Sequence, residues 1–179
     1  MNKSKKLYIV LSNTGSFTCK ILHAFTKDNY NHSSIALDGN LSEMYSFGRK
    51  NAYFPFWGGF VKEHYSYGTF KRFFKRTQIV VIEIDVLEDT YYKISDKLRG
   101  MYEVKNKYKY DFMGIFMAYF GKTREKQYYY YCSNFVQEIL SEQGIVIENQ
   151  AVVKPIHFLR LPNAKILYQG RLKDYVESL

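Results

Sequence analysis

The sequence predicts an α+β domain in which a small antiparallel sheet packs against helices, and three observations carry that prediction. Gln78-Ile79-Val80-Val81-Ile82-Glu83-Ile84-Asp85-Val86 is a β-branched run bounded by polar residues, the pattern of a buried strand. A helical stripe follows at once, with Tyr91, Ile94, Leu98, Met101, Tyr102 and Lys105 recurring on one face from about 88 to 106. Asp38-Gly39, set between two short apolar runs, is a hairpin signal. With 179 residues and 46% hydrophobic content, the chain suits one domain, residues 1–179, with a sizeable core.

Taken in order, Leu7-Tyr8-Ile9-Val10-Leu11 reads as a strand buried on both faces. Ser12 to Ser16 supplies turn and capping residues, and Phe17, Ile21, Leu22 and Phe25 predict a helix over 16–27. Cys19 and His23 share a face of that helix, and two residues do not make a metal site. In the hairpin, a two-residue turn at Asp38-Gly39 pairs Leu37 with Asn40 and His32 with Tyr45. That register puts His32, Ser34 and Ala36 on one face with Leu41, Glu43 and Tyr45, so Glu43 lies one diagonal step from His32. Residues 48–78 scatter glycines and Pro55 among Tyr53, Phe54, Phe56, Trp57, Phe60 and Tyr67, and no clean period emerges. A long aromatic loop covering a cleft is the expectation there. Lys71 to Arg76, with Phe73 and Phe74 between basic pairs, suits anionic lipid or nucleic acid, but the pattern is more often a solvated turn beside a core aromatic pair.

Tyr108-Lys109-Tyr110-Asp111 leads into a short apolar helix, Phe112 to Phe120, closed by Gly121 and too short to span a membrane. A polar connection from Lys122 to Gln127 then delivers the chain to Tyr131-Cys132-Ser133. Cys132 enters a helix whose Phe135, Val136, Ile139 and Leu140 form an apolar stripe. A thiol in the first helical turn faces unpaired N–H groups and the positive dipole end, which favour a thiolate. Beyond it come Gln143-Gly144 as a helix stop, a short strand at Ile145-Val146-Ile147 and a helical turn at Pro155–Leu161 carrying His157, a rival histidine. A last strand at Ala164–Leu167 and a helix at Arg171–Leu179 end the chain.

Composition narrows the function. The net charge of +9 favours anionic partners, although the lysines are dispersed as on a solvated surface. The two cysteines have no metal-ligand or disulfide spacing, so neither a metal nor a cofactor is expected. The apolar run near the start is too short for a secretory or membrane-spanning segment, and free thiols point to a reducing cytoplasm.

His32 opening a hairpin strand, a polar residue on the partner strand and, much later, Tyr131-Cys132-Ser133-Asn134-Phe135-Val136 entering a helix together resemble the circularly permuted NlpC-type papain-like cysteine hydrolases. The YiiX-like amidases and the lecithin:retinol acyltransferase-like enzymes belong to that group. Tyr110-Asp111-Phe112 also looks like the YiiX-like pattern. The resemblance spans about Leu7 to Leu140, with a specific core of some twenty residues. It implies a permuted papain-like fold, with a small antiparallel sheet or half-barrel packed against the cysteine helix. It further implies Cys132 as nucleophile, His32 as base and Glu43 as the third residue. The hairpin turn looks a residue shorter than the family's, which makes Tyr45 the alternative third member. Tyr131, Tyr110 and Trp57 are the candidate substrate-binding side chains. The implied activity is hydrolysis or acyl transfer at an amide or ester of a small molecule, peptide or lipid, with no nucleic-acid partner. The alternative is a non-catalytic module of the same fold that engages an anionic surface or nucleic acid through its basic excess.

Overall fold

The computed structural model describes residues 3–15, 29–54, 57–147 and 150–179. The helix expected over 16–27, with Cys19 and His23, falls outside the described residues.

The molecule is α+β. Six antiparallel strands form one sheet in the order β4-β3-β2-β1-β5-β8. They are β1 (Ser4–Asn13), β2 (His32–Ala36), β3 (Met44–Arg49), β4 (Gly58–Glu63), β5 (Gln78–Leu87) and β8 (Lys165–Arg171). A short parallel pair, β6 (Lys109–Tyr110) and β7 (Tyr129–Tyr130), stands apart. The helices are α1 (Gly68–Arg72), α2 (Glu88–Glu103), α3 (Phe112–Tyr119), α4 (Cys132–Ser141) and α5 (Leu172–Glu177). Pro155–Arg160 forms a 3-10 turn, and Ile145–Ile147, expected as a strand, has no strand conformation.

The central strands read as continuous apolar runs because both faces of the sheet are covered. On one face, Leu7, Ile9, Leu11, Ile35, Phe47 and Phe60 meet Ile94 and Leu98 of α2 and Phe135, Val136 and Ile139 of α4. On the other, Tyr8, Val10, Met44, Ile79 and Val81 are covered by Phe70, Leu172 and Tyr175. Burying large apolar side chains on both sides contributes about 1.5–3 kcal/mol per side chain and fixes the pleat of the middle strands.

Two local readings change. The turn at Asp38-Gly39 is not a two-residue turn. Ile35 pairs with Tyr45 and Ala36 with Met44, and the Leu37 N–H donates to the Glu43 carbonyl at 3.0 Å. Asp38 closes the wider loop, its carboxylate accepting the Ser42 N–H at 3.0 Å, the Ser42 hydroxyl at 2.8 Å and the Glu43 N–H at 3.0 Å. Relative to the expected register, β3 is displaced by an odd number of residues, which exchanges its faces against β2. The second change is β4, which lies inside the segment expected as a long aromatic loop. Its glycines serve close packing: a Cβ at Gly58 would come within 2.8 Å of the Tyr110 ring, and one at Gly59 within 2.5 Å of Lys50 Cε.

Candidate functional site

β2 begins at His32, and β4, two strands away, ends at Glu63. Ser34, Ser46 and Glu63 fall on the same sheet face as His32, because β3 pairs Met44 with Glu63 and Ser46 with Val61. His32 Nε2 lies 3.0 Å from Glu63 Oε1 and 3.3 Å from Oε2. The Ser34 hydroxyl donates to Glu63 Oε2 at 2.6 Å. Gly48 leaves room for this carboxylate, since a Cβ there would approach Glu63 Oε1 to 3.2 Å.

Cys132 opens α4 at the same end of β2. Its Sγ is 4.0 Å from the Asn31 carbonyl oxygen, and the residue is buried. Several contacts hold the start of α4 in place. Asn134 Oδ1 accepts the Tyr131 N–H at 2.8 Å, and the Ser133 hydroxyl donates to the Val153 carbonyl at 2.7 Å. The Phe135 ring sits 5.2 Å from Phe47 and 5.3 Å from Phe60, so the aromatic core sets the axis of the helix. The first-turn N–H groups have no acceptor within the helix and face whatever approaches the sulfur.

The electrostatics join these groups. Burial, the largest single influence on the His32 ring, disfavours its charged form; the Glu63 carboxylate and the hydrogen-bonding Cys132 side chain outweigh it and hold the imidazole well above its ordinary pKa. For Glu63, burial pushes the carboxyl up, and the His32 charge, the ring hydrogen bond and Ser34 reverse this to leave it lowered. Glu63 engages Nε2 of the His32 ring, and Asn31, the residue before His32, has its carbonyl oxygen 4.0 Å from the Cys132 sulfur. Tyr131, next to the thiol, is pushed up to about 12 by burial and then by the charges of Cys132 and Asp111.

The expected third residue is elsewhere. Glu43 lies on the opposite face of β3 and pairs with Arg99, with Oε1 3.1 Å from Nε and Oε2 3.0 Å from Nη2. The Tyr45 hydroxyl donates to Glu43 at 2.6 Å, so neither Glu43 nor Tyr45 turns toward His32. The odd shift in the hairpin is the cause. No local pattern marks Glu63, because its strand opens on two glycines and Phe60-Val61-Lys62-Glu63 does not alternate apolar with polar residues. Of the remaining candidates, Tyr110 packs on Gly58 and Trp57 is exposed beside it. Asp111 is buried and caps α3, its Oδ1 accepting the Gly114 N–H at 2.9 Å and Arg124 Nη1 at 3.1 Å. His157 Nδ1 accepts the Lys154 N–H at 3.3 Å within its own 3-10 turn. Among the described residues no group of His, Cys, Asp and Glu has the arrangement to hold a metal ion, and no helix is long and apolar enough to cross a membrane.

No family model, no curated protein and no solved structure matches the chain.

Proposed function

We propose that this chain is a cysteine-dependent hydrolase or acyltransferase of the permuted papain-like type, acting on an amide or ester with Cys132, His32 and Glu63. The observation that carries the reading is the position of His32, whose ring lies 3.0 Å from the largely buried Glu63 carboxylate and whose neighbour Asn31 has its carbonyl oxygen 4.0 Å from the sulfur of the helix-start Cys132.

The chemistry follows from those residue types. The Cys132 sulfur attacks the carbonyl carbon, and the thiol proton resides on His32 as imidazolium. First-turn N–H groups of α4 face the developing oxyanion. The imidazolium protonates the departing amine or alkoxide, leaving a thioester on Cys132. His32, now neutral, takes a proton from water or an acceptor hydroxyl or amine as that group attacks the thioester, and sulfur departs as the thiolate. Glu63 does not exchange protons in this scheme. It fixes the ring orientation and balances the imidazolium charge.

The test is thiol chemistry followed by turnover. Iodoacetamide is expected to label Cys132 faster than a free thiol at pH 6, and His32→Ala to remove that advantage. A panel of amides and esters then supplies a substrate, whose turnover must vanish in Cys132→Ala. Ordinary labelling at pH 6 together with unchanged labelling in His32→Ala would overturn the reading.

A further inference from the structure

One end of the molecule carries an apolar surface that the proposed chemistry does not use. α3 buries little of itself: Phe112, Met113, Phe116 and Phe120 are exposed, the last two at 60% each, although none carries a hydrogen-bonding N–H or O–H. Their spacing places them along one side of the helix, and the Phe116 and Phe120 rings meet edge to face at 5.2 Å. The loop before β4 extends this apolar surface. Trp57, Tyr53 and Phe54 are exposed there, and the loop adjoins α3 through Tyr110, whose ring packs on Gly58 and lies 4.7 Å from the Phe112 ring.

The surroundings of this surface are basic. Between Glu103 and Tyr130 the chain has six basic residues, Lys105, Lys107, Lys109, Lys122, Arg124 and Lys126, against three acids, of which Asp111 is buried and tied to Arg124. The Lys50 side chain lies against Gly59, and its ammonium is disfavoured by burial and then by the charges of Lys109 and Lys105. Arg72, 3.9 Å over the Tyr53 ring, continues the basic rim to the aromatic loop.

We propose that this lysine-rimmed surface of α3, with Tyr53, Phe54 and Trp57, docks the protein on the surface of an anionic lipid bilayer. A short, wholly apolar helix with cationic flanks and exposed aromatic residues matches the chemistry of the headgroup and acyl boundary. Exposed phenylalanines on one helix side, two of them packed edge to face, suit hydrocarbon better than nucleic acid, where separate rings stack on successive bases. An apolar surface of this kind on a single chain marks an interaction site. The inference is independent of the proposed chemistry.

Trp57 is the only tryptophan of the chain, so its emission reports on this surface directly. Mixed phosphatidylcholine–phosphatidylserine vesicles are expected to shift the emission to the blue and to pull the protein down on sedimentation, with binding that weakens as salt is added. Phosphatidylcholine vesicles alone should bind less. Phe116→Ser and Phe120→Ser should each weaken vesicle affinity about tenfold or more, the loss expected for one ring withdrawn from an apolar phase. Lys109→Glu with Lys122→Glu should remove the preference for phosphatidylserine. Cys132→Ala should bind as the unaltered chain does, so docking and turnover are read separately. The proposal is overturned if no vesicle shifts the emission, or if the serine variants bind equally well. It is also overturned if duplex DNA, not vesicles, gives the shift, or if light scattering shows a dimer that the serine variants dissociate.

Discussion

Glu43, just before β3, and Glu63, at the end of β4, are the same residue in nearly the same setting, yet the structure uses them differently. Each accepts a short hydrogen bond from a hydroxyl, Tyr45 to Glu43 and Ser34 to Glu63, both at 2.6 Å. Each faces a nitrogen base, Arg99 for Glu43 and His32 for Glu63. Arg99 is always charged and its side chain is about half exposed, so that pair is a permanent surface contact; the guanidinium beside Glu43 holds its carboxyl down at about 2. The Glu63–His32 pair is largely buried, and its charge depends on a proton. The comparison teaches that the identity of the base and its depth, rather than the carboxylate, separate a fastening from a group that can serve chemistry.

The largest expected effect removes the base itself. His32→Ala should lower turnover about 10²–10⁴-fold in a steady-state assay, the range of general acid–base contributions. A smaller loss would break the assignment of His32 as proton carrier. Glu63→Gln keeps the size of the side chain but not the charge. It should lower turnover about 10²-fold, as misplacing a reacting group by about 1 Å does, with kcat falling rather than KM rising. Equal kinetics of Glu63→Gln and the unaltered chain would dissolve the distinction between the two glutamates.

The pH dependence sharpens it further. His32 is raised in the folded protein, so its contribution to stability is complete below its ordinary value of 6.5 and is lost as pH rises through the raised value. Glu63 is lowered, so its contribution is complete above its ordinary value of 4.5 and is lost as pH falls through the lowered value. Urea unfolding midpoints should therefore be flat between 4.5 and 6.5 for this pair and decline on the alkaline side. Glu63→Gln should move the alkaline decline to lower pH, because it removes the principal charge that raises the ring. Glu43→Gln should leave the alkaline decline where it is. The smallest effect is that of Glu43→Gln itself, with turnover retained and about 0–1 kcal/mol of stability lost in the same unfolding measurement.

Much of this was legible along the chain. β1 and β5 announce themselves by apolar, β-branched runs, α2 by its stripe and α4 by Phe135, Val136, Ile139 and Leu140, because each pattern is local and both sheet faces are buried. β4 is hidden because Gly58 and Gly59 look like loop residues; only the ring of Tyr110, distant in sequence, explains why a Cβ at Gly58 has no room. The apolar helix Phe112–Tyr119 was legible as a helix, but its exposure was not. Periodicity says which side chains share a face and not what lies against that face.

By itself the sequence determined that Cys132 starts an amphipathic helix, that His32 starts a strand and that the two are separable pieces of an α+β domain, since propensity, capping and hydrophobic period act within a few residues. Only the tertiary structure decided which carboxylate meets the histidine. That choice depends on strand register, and register was fixed by the Asp38 side chain closing a wider loop and by cores packed on both faces of the sheet. A displacement by an odd number of residues carries a side chain to the other face, so Glu43 went to Arg99 and Glu63, from the next strand, took its place beside His32.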